Sequence, residues 1–226
     1  MSAVWNPNRN NMRRYDLLVF DWDGTLSDST GAIVVCLQQA CADLELPIPE
    51  ADRARHVIGL GLEDALAFIA PGLARADYGK LAERYRIHFL QQSTGLYAGT
   101  EALLDDLLLR GYRLAIATGK SSRGLERSLS ELGIGRFFSG WRCADQCAPK
   151  PAPDMLTELI DEFDVSAQNT LMIGDTSHDL QMAASAEVAA VAICHGAHRR
   201  ETLEAMRPLA CVADTGELSR WLKLNA

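Results

Sequence analysis

No stretch of the 226-residue chain approaches the roughly 20 consecutive apolar residues that a membrane-spanning helix needs. Positive charge is also scarce. Lys and Arg number 22 against 30 Asp and Glu, which leaves a formal charge of −8 at pH 7. That balance argues against a nucleic-acid binder, which needs a basic face to neutralise phosphates. With 48% hydrophobic and 23% charged residues, the chain is no highly charged disordered polymer, and it is long enough to bury a full core. It has no internal repeat and no low-complexity segment. It has six cysteines, Cys36, Cys41, Cys143, Cys147, Cys194 and Cys211, but no CxxC pair, which argues against a structural zinc site. Cys36 and Cys41 sit in an apolar helical pattern and Cys194 ends an apolar run, which fits reduced, buried thiols in a cytoplasmic protein. The first eleven residues, MSAVWNPNRNN, have no apolar h-region and read as a loose tail rather than a secretory signal. Met12 stands directly before the first folded segment and offers an alternative start.

What is present is a series of short apolar runs: Leu17–Phe20, Leu114–Ala117, Leu171–Ile173, Val188–Ile193 and a weaker one near Phe137–Phe138. Unbroken runs of this length read as parallel strands buried on both faces. Between them lie helix-period segments. Leu103, Leu104, Leu107 and Leu108 stop at Gly111, Leu125, Leu129 and Leu132 stop at Gly133, and Met155 to Phe163 follows Pro153. Such alternation predicts a doubly wound, mainly parallel, Rossmann-like α/β sheet. From about Gly31 to Gly95 the alternation fails and every pattern is helical. That is much longer than the dozen or so residues of a crossover helix, so it reads as an inserted helical bundle beside the sheet.

In open α/β sheets ligands bind beyond the carboxyl ends of the strands. The first run ends in Asp21-Trp22-Asp23-Gly24-Thr25, the second in Thr118-Gly119-Lys120 and the third in Gly174-Asp175-Thr176-Ser177-His178-Asp179. Pro149-Lys150-Pro151 precedes a helix pattern and can reach the same edge. Clustered aspartates repel one another unless a hard cation such as magnesium sits among them. A hydroxyl, an ammonium and a strand-end glycine amide suit phosphate oxygens. Asp21 and Asp23, two apart in extended chain, share a face and turn Trp22 into packing. Two neighbouring carboxylates can divide the roles of nucleophile and general acid/base.

In this order, DWDGTLSDS, ATGK, PKPAPD and GDTSHD resemble the four motifs of the haloacid dehalogenase superfamily of phosphohydrolases, most closely its phosphoglycolate-phosphatase-like branch. The resemblance implies a tail over 1–14, a phosphatase core over 15–30 and 96–226, and a helical cap over 31–95. It implies a nucleophile at Asp21 and a general acid/base at Asp23, whose backbone carbonyl ligates Mg2+. Thr118 and Gly119 would bind phosphate, and Lys150 would neutralise phosphate and nucleophile. Asp175 would anchor the metal, with Asp179 in its outer coordination. Gly24 and Thr25 would shape the turn on which the cap moves. The activity implied is magnesium-dependent hydrolysis of a small phosphate monoester, phosphoglycolate-like or a sugar phosphate, through an aspartyl-phosphate. A phosphomutase or pyrophosphatase on the same site, and a non-catalytic binding module, are the alternatives. The partner implied is a small phosphorylated metabolite, with no nucleic acid or membrane, for a monomer or homodimer in the cytoplasm.

Some residues remain. Arg55, His56, Gly59 and Gly61 are candidates for substrate contact from the cap. His178 reads as an exposed residue at a helix start. His195 and His198 lie in a CHGAH loop that resembles a structural loop of the same branch. Glu187 departs from the family, which usually has Gly there for a tight helix-to-strand turn.

Overall fold

The computed structural model describes residues 13–226. The loose tail expected over 1–14 therefore lies almost wholly outside the described residues, as does the alternative start at Met12. Arg13, the first residue described, donates to the Arg110 carbonyl at 3.2 Å.

Among the described residues, eight strands and ten α-helices follow in the order β1 Leu17–Phe20, β2 Ser27–Asp28, α1 Thr30–Asp43, α2 Ala51–His56, α3 Leu62–Ile69, α4 Tyr78–Phe89, β3 Gly95–Leu96, α5 Thr100–Leu109, β4 Arg113–Thr118, α6 Ser122–Leu132, β5 Gly140–Cys143, α7 Asp154–Phe163, β6 Thr170–Gly174, α8 Ser177–Ser185, β7 Ala189–Ile193, α9 Arg200–Ala205, β8 Ala210–Val212 and α10 Thr215–Asn225. Six strands form one parallel sheet in the order β5-β4-β1-β6-β7-β8. The chain winds outward from β1 to β5 on one side, then returns to build β6 to β8 on the other. This is the doubly wound α/β architecture that the alternation predicts.

The period-two geometry of a strand explains the two layers of core. Leu18, Phe20 and Trp22 pack with α5, α6 and α10 on one face. Leu17 and Val19 pack with α7 and α8 on the other. Helices on both faces leave no solvent-facing side, so β1 is apolar at every position. Trp22 joins the first layer and is 1% exposed, and Asp21 and Asp23 turn away from it.

The helices α1 to α4 build a separate apolar cluster from Ile33, Val34, Leu37, Leu66, Leu81 and their neighbours. One residue from beyond β7, Ala197, packs into that cluster. Where the chain leaves and re-enters the α/β unit, β2 and β3 pair antiparallel through Ser27–Leu96 and Asp28–Gly95.

Three expectations need correction. Phe137 belongs to a short 3-10 turn, Gly135–Phe137, and the strand begins later, at Gly140. Phe137 and Phe138 are buried in the main core as anchors of that turn, which explains the apolar signal. The edge strand β8 and the β2–β3 pair have no counterpart in the sequence reading, because two or three residues are too few to show a period. Of the six cysteines, all free, Cys36, Cys41 and Cys143 are buried, whereas Cys147, Cys194 and Cys211 are only half-buried. Among the described residues no helix is long and apolar enough to cross a membrane.

Glu187 adopts φ 56°, the left-handed region that glycine enters without steric cost. It closes α8: its N–H donates to the Ala184 carbonyl at 3.2 Å, and the Val188 N–H donates to the Ala183 carbonyl at 2.8 Å. The tight turn forms without glycine, at the expense of backbone strain on an exposed side chain. Glu187→Gly is expected to stabilise the protein by about 1 kcal/mol and raise its melting temperature by roughly 2–4 °C. Glu187→Val should lower it, as thermal unfolding followed by circular dichroism can check.

Candidate active site

Strand register brings the motif residues to one edge. Phe20 lies level with Ile116 of β4 and Ile173 of β6, so the residues that follow these three strands emerge together. The Asp21 N–H still donates to the Ile173 carbonyl at 2.9 Å, which fixes its backbone as an extension of β1. Thr118 ends β4, Asp175 follows β6, and Lys150 arrives from the loop between β5 and α7.

Lys150 is the hub. Its ammonium lies 2.5 Å from Asp21 Oδ1 and 2.6 Å from Asp179 Oδ1, and its side chain is 0% exposed. Asp179 also closes a capping box at the start of α8. Its Oδ2 accepts from the Thr176 hydroxyl at 2.7 Å and the Thr176 N–H at 3.0 Å. Asp175 accepts from the Thr25 hydroxyl at 2.7 Å and from the Ala197 N–H at 2.7 Å. Two glycines make room for it. A Cβ on Gly24, at φ 88°, would sit 2.2 Å from Asp175 Oδ2, and one on Gly196 would sit 2.1 Å away.

Asp23 has its own partners. Its Oδ1 accepts from the Ser29 hydroxyl at 2.6 Å and pairs with the Lys120 ammonium at 3.1 Å. Lys120 in turn lies over the Phe89 ring of α4, 4.6 Å from its centroid. The two motif aspartates are therefore served by different cations. Thr118 Oγ1 accepts from the Lys120 N–H at 3.2 Å, and its own proton remains available to an anion. Beside it, Gly119 faces the carbonyls of Leu60 and Gly59; a Cβ there would meet them at 2.3 and 2.6 Å.

The electrostatics favour a cation. Burial, together with the Asp179 and Asp175 carboxylates, pushes Asp21 well above the usual carboxylate range despite the opposing Lys150. Burial, then Asp179, raises Asp175 to about 7, against the pull of its hydrogen bonds. Burial alone lowers Lys150, but the two carboxylates outweigh it and keep the ammonium charged. Oxygens of Asp21, Asp175 and Asp179 lie within 4.8 Å of one another, and Asp21 Oδ2 is buried without a partner. An all-carboxylate donor set with an orphaned oxygen fits a hard divalent cation.

The residues expected to reach in from the helical segment divide. Gly59 and Gly61 do lie against site loops. A Cβ on Gly59 would meet Thr176 Oγ1 at 3.1 Å, and one on Gly61 would meet Pro149 at 3.2 Å. Arg55 instead pairs with Asp52 at 3.5 Å on an outer cleft that His56 also lines. The exposed position expected for His178 is overturned. It is 7% exposed, and its Nε2 lies 2.7 Å from the His56 carbonyl. Its place at the first turn of α8 suggested solvent, but the end of α2 covers that turn. His198 is equally buried, and burial lowers both rings, His198 to about 4. His195 stacks on Tyr97 with centroids 3.6 Å apart. Thr25, Ser29, Lys120, Thr176 and Ala197 received no ligand-holding role from the sequence. The first four lie in or beside the motifs, so their proximity was the available signal; Ala197 acts through its backbone and left none.

Comparison with known proteins agrees with this geometry. The family model described as haloacid dehalogenase-like hydrolase matches residues 18–193. A probable phosphatase, IndB, from Dickeya dadantii is 34% identical over 89% of this chain and 91% of its own. A phosphoglycolate phosphatase from Rhodospirillum rubrum is 34% identical over 91% of this chain and 90% of its own. A hydrolase of known structure from Pseudomonas syringae superposes with a TM-score of 0.85, covering 93% of this chain and 99% of that one at 22% identity.

The raised Asp175 has a consequence for stability. A carboxyl whose pKa rises on folding binds more protons in the native state, so stability falls as pH rises toward that pKa. Burial lowers the histidines, which act in the opposite sense until their unfolded rings lose their protons about a unit above the ordinary value of 6.5, so the carboxyl contribution is read as the difference between wild type and Asp175→Asn. Without metal, the stability that wild type gains over Asp175→Asn should therefore shrink as pH rises toward about 7 and level off by about pH 8. Asp21, raised in the same way, keeps its own contribution in that variant, and added Mg2+ should stabilise the wild type most at the upper end. A pH-independent difference between metal-free wild type and Asp175→Asn in differential scanning calorimetry contradicts the assignment.

Proposed function

This chain belongs to the haloacid dehalogenase-like hydrolase family, in its phosphoglycolate-phosphatase-like branch, and we propose that it hydrolyses a small phosphate monoester in two steps through Asp21. The observation that carries this reading is the buried Asp21 carboxylate. One of its oxygens is held by Lys150 and the other has no partner, at the sheet edge where β4 ends in Thr118 and Gly119 follows.

In the first step Asp21 attacks phosphorus and the ester P–O bond breaks. Asp23 gives its proton to the departing alkoxide. In the second step Asp23 takes a proton from water as the water attacks phosphorus, and the bond between phosphorus and Asp21 breaks, releasing inorganic phosphate. The Thr118 hydroxyl, the Gly119 amide and Lys150 hold the phosphoryl oxygens while negative charge develops on them. Magnesium, held by Asp21, Asp175 and the Asp23 backbone carbonyl with Asp179 behind them, would supply positive charge against those oxygens.

Residues 31–95 would act as the cap. Lys120 sits between Asp23 and Phe89 and faces the leaving-group side of the reaction. The carbonyls of Gly59 and Leu60, pressed onto Gly119, close the space over the phosphate. A covered site favours a small leaving group and keeps bulk water out during transfer. The phosphoglycolate phosphatase among the relatives makes 2-phosphoglycolate the first ester to test.

Phosphate release should be measured on 2-phosphoglycolate, sugar phosphates, nucleotides and pyrophosphate, with and without Mg2+. Turnover is expected on small monoesters only when Mg2+ is present. Conversion of one sugar phosphate to its isomer without phosphate release points instead to a mutase, and silence across the panel to a binding module. Asp21→Asn should lower turnover by at least about 10³-fold while the protein stays folded, because no other group replaces the nucleophile. Turnover near that of wild type in this variant would falsify the mechanism.

A further inference from the structure

Three imidazoles from distant parts of the chain meet beside the site: His56 at the end of α2, His178 in the first turn of α8, and His198 in the loop after β7. The His56 ring stacks on His198 with centroids 5.4 Å apart and planes within 4°. The contact that matters is made by the backbone. The His56 carbonyl ends α2, where helix carbonyls have no partner within the helix. His178 Nε2 lies 2.7 Å from it and His198 Nε2 lies 3.2 Å from it. A carbonyl only accepts, so both nitrogens bear protons and donate. For His198 the tautomer is fixed a second time, since the Ser177 N–H donates to its Nδ1 at 3.0 Å.

Ring nitrogens of the three residues lie within 4.8 Å, a spacing that raises the question of a transition metal. The hydrogen bonds answer it. His198 spends its lone pair on the Ser177 N–H and its proton on the carbonyl, which leaves no nitrogen to ligate.

We propose that His198 and His178 are positioning residues that clamp the His56 carbonyl and so hold the 57–61 strap over the phosphate site. The strap begins one residue after the clamped carbonyl. Val57 and Ile58 are buried in the helical cluster, Gly59 lies on Thr176, the carbonyls of Gly59 and Leu60 meet Gly119, and Gly61 lies on Pro149 beside Lys150. Ala197, next to His198, donates its N–H to Asp175 while its side chain enters the helical cluster. One short loop therefore braces the aspartate and the cover together. This role rests on the reading of the site as a phosphatase centre with a cover, but the clamp has a readout that needs no substrate.

The test compares His198→Asn with His198→Gln. Asn can keep the Ser177 bond but is too short to reach the His56 carbonyl, whereas the Gln amide extends to about the position of Nε2. Amide hydrogen exchange at 57–61 is expected to speed up about five- to tenfold in His198→Asn, the effect of losing one hydrogen bond, and to stay within about twofold of wild type in His198→Gln. His178→Asn should act in the same direction. On whichever ester the wild type turns over, KM should rise about as much in His198→Asn while kcat changes less. Unchanged exchange at 57–61 in a folded His198→Asn overturns the clamp, as does a Gln variant as impaired as Asn. Stoichiometric Zn2+ binding that His198→Gln abolishes also overturns it in favour of a metal site. Failure of the wild type to hydrolyse any ester would undo the functional reading and leave the exchange result standing.

Discussion

One buried ammonium organises this molecule. Lys150 has no exposed surface and pairs with both Asp21 and Asp179, so a loop from beyond β5, the end of β1 and the start of α8 are tied at a single atom. Such an arrangement is costly to dehydrate and strongly destabilising to break, because loss of the lysine leaves carboxylates buried without a partner. It is also incomplete. Three carboxylates around one ammonium leave two negative charges in excess when all are ionised, and the raised Asp21 and Asp175 express that excess as proton affinity. A divalent cation would balance it. With that excess cancelled, the carboxylates would no longer repel an incoming phosphate.

The surroundings follow from that core. Glycines stand where a side chain would collide with the charged groups: Gly24 and Gly196 against Asp175, Gly174 against Asp179. The helical segment reaches the site with backbone rather than with charged side chains. Gly59 and Leu60 bring carbonyls onto Gly119, and the end of α2 brings another onto two core imidazoles. Asp23 is grouped with Lys120 and Phe89, apart from the Lys150 hub. Two aspartates separated by one residue thus experience different electrostatics, as unequal roles in acid–base and nucleophilic chemistry require.

The legible parts of the sequence were those written in local pattern. The β1, β4, β6 and β7 runs announced buried strands because helices cover both faces of the sheet, and the leucine periods announced α5 and α6. The polar residues that end those runs marked the site edge. Less legible were short elements, such as β8 and the β2–β3 pair, whose two or three residues show no period. The apolar Phe137–Phe138 signal was real, but it marked burial in a turn rather than a strand. Glu187 held the tight turn expected of glycine, since the backbone bonds that close α8 outweigh the strain of φ 56°.

By itself the sequence determined the α/β winding and the positions of the acidic strand ends, because each depends on spacing between near neighbours. Tertiary structure alone decided which groups share a partner. That Asp179 pairs with Lys150 as well as capping α8, that Lys120 belongs to Asp23, and that His178 and His198 hold a carbonyl more than 100 residues away are facts about distance in space. Side-chain identity constrains what a residue can bond, but only packing of the sheet against the helical segment selects which bond it makes.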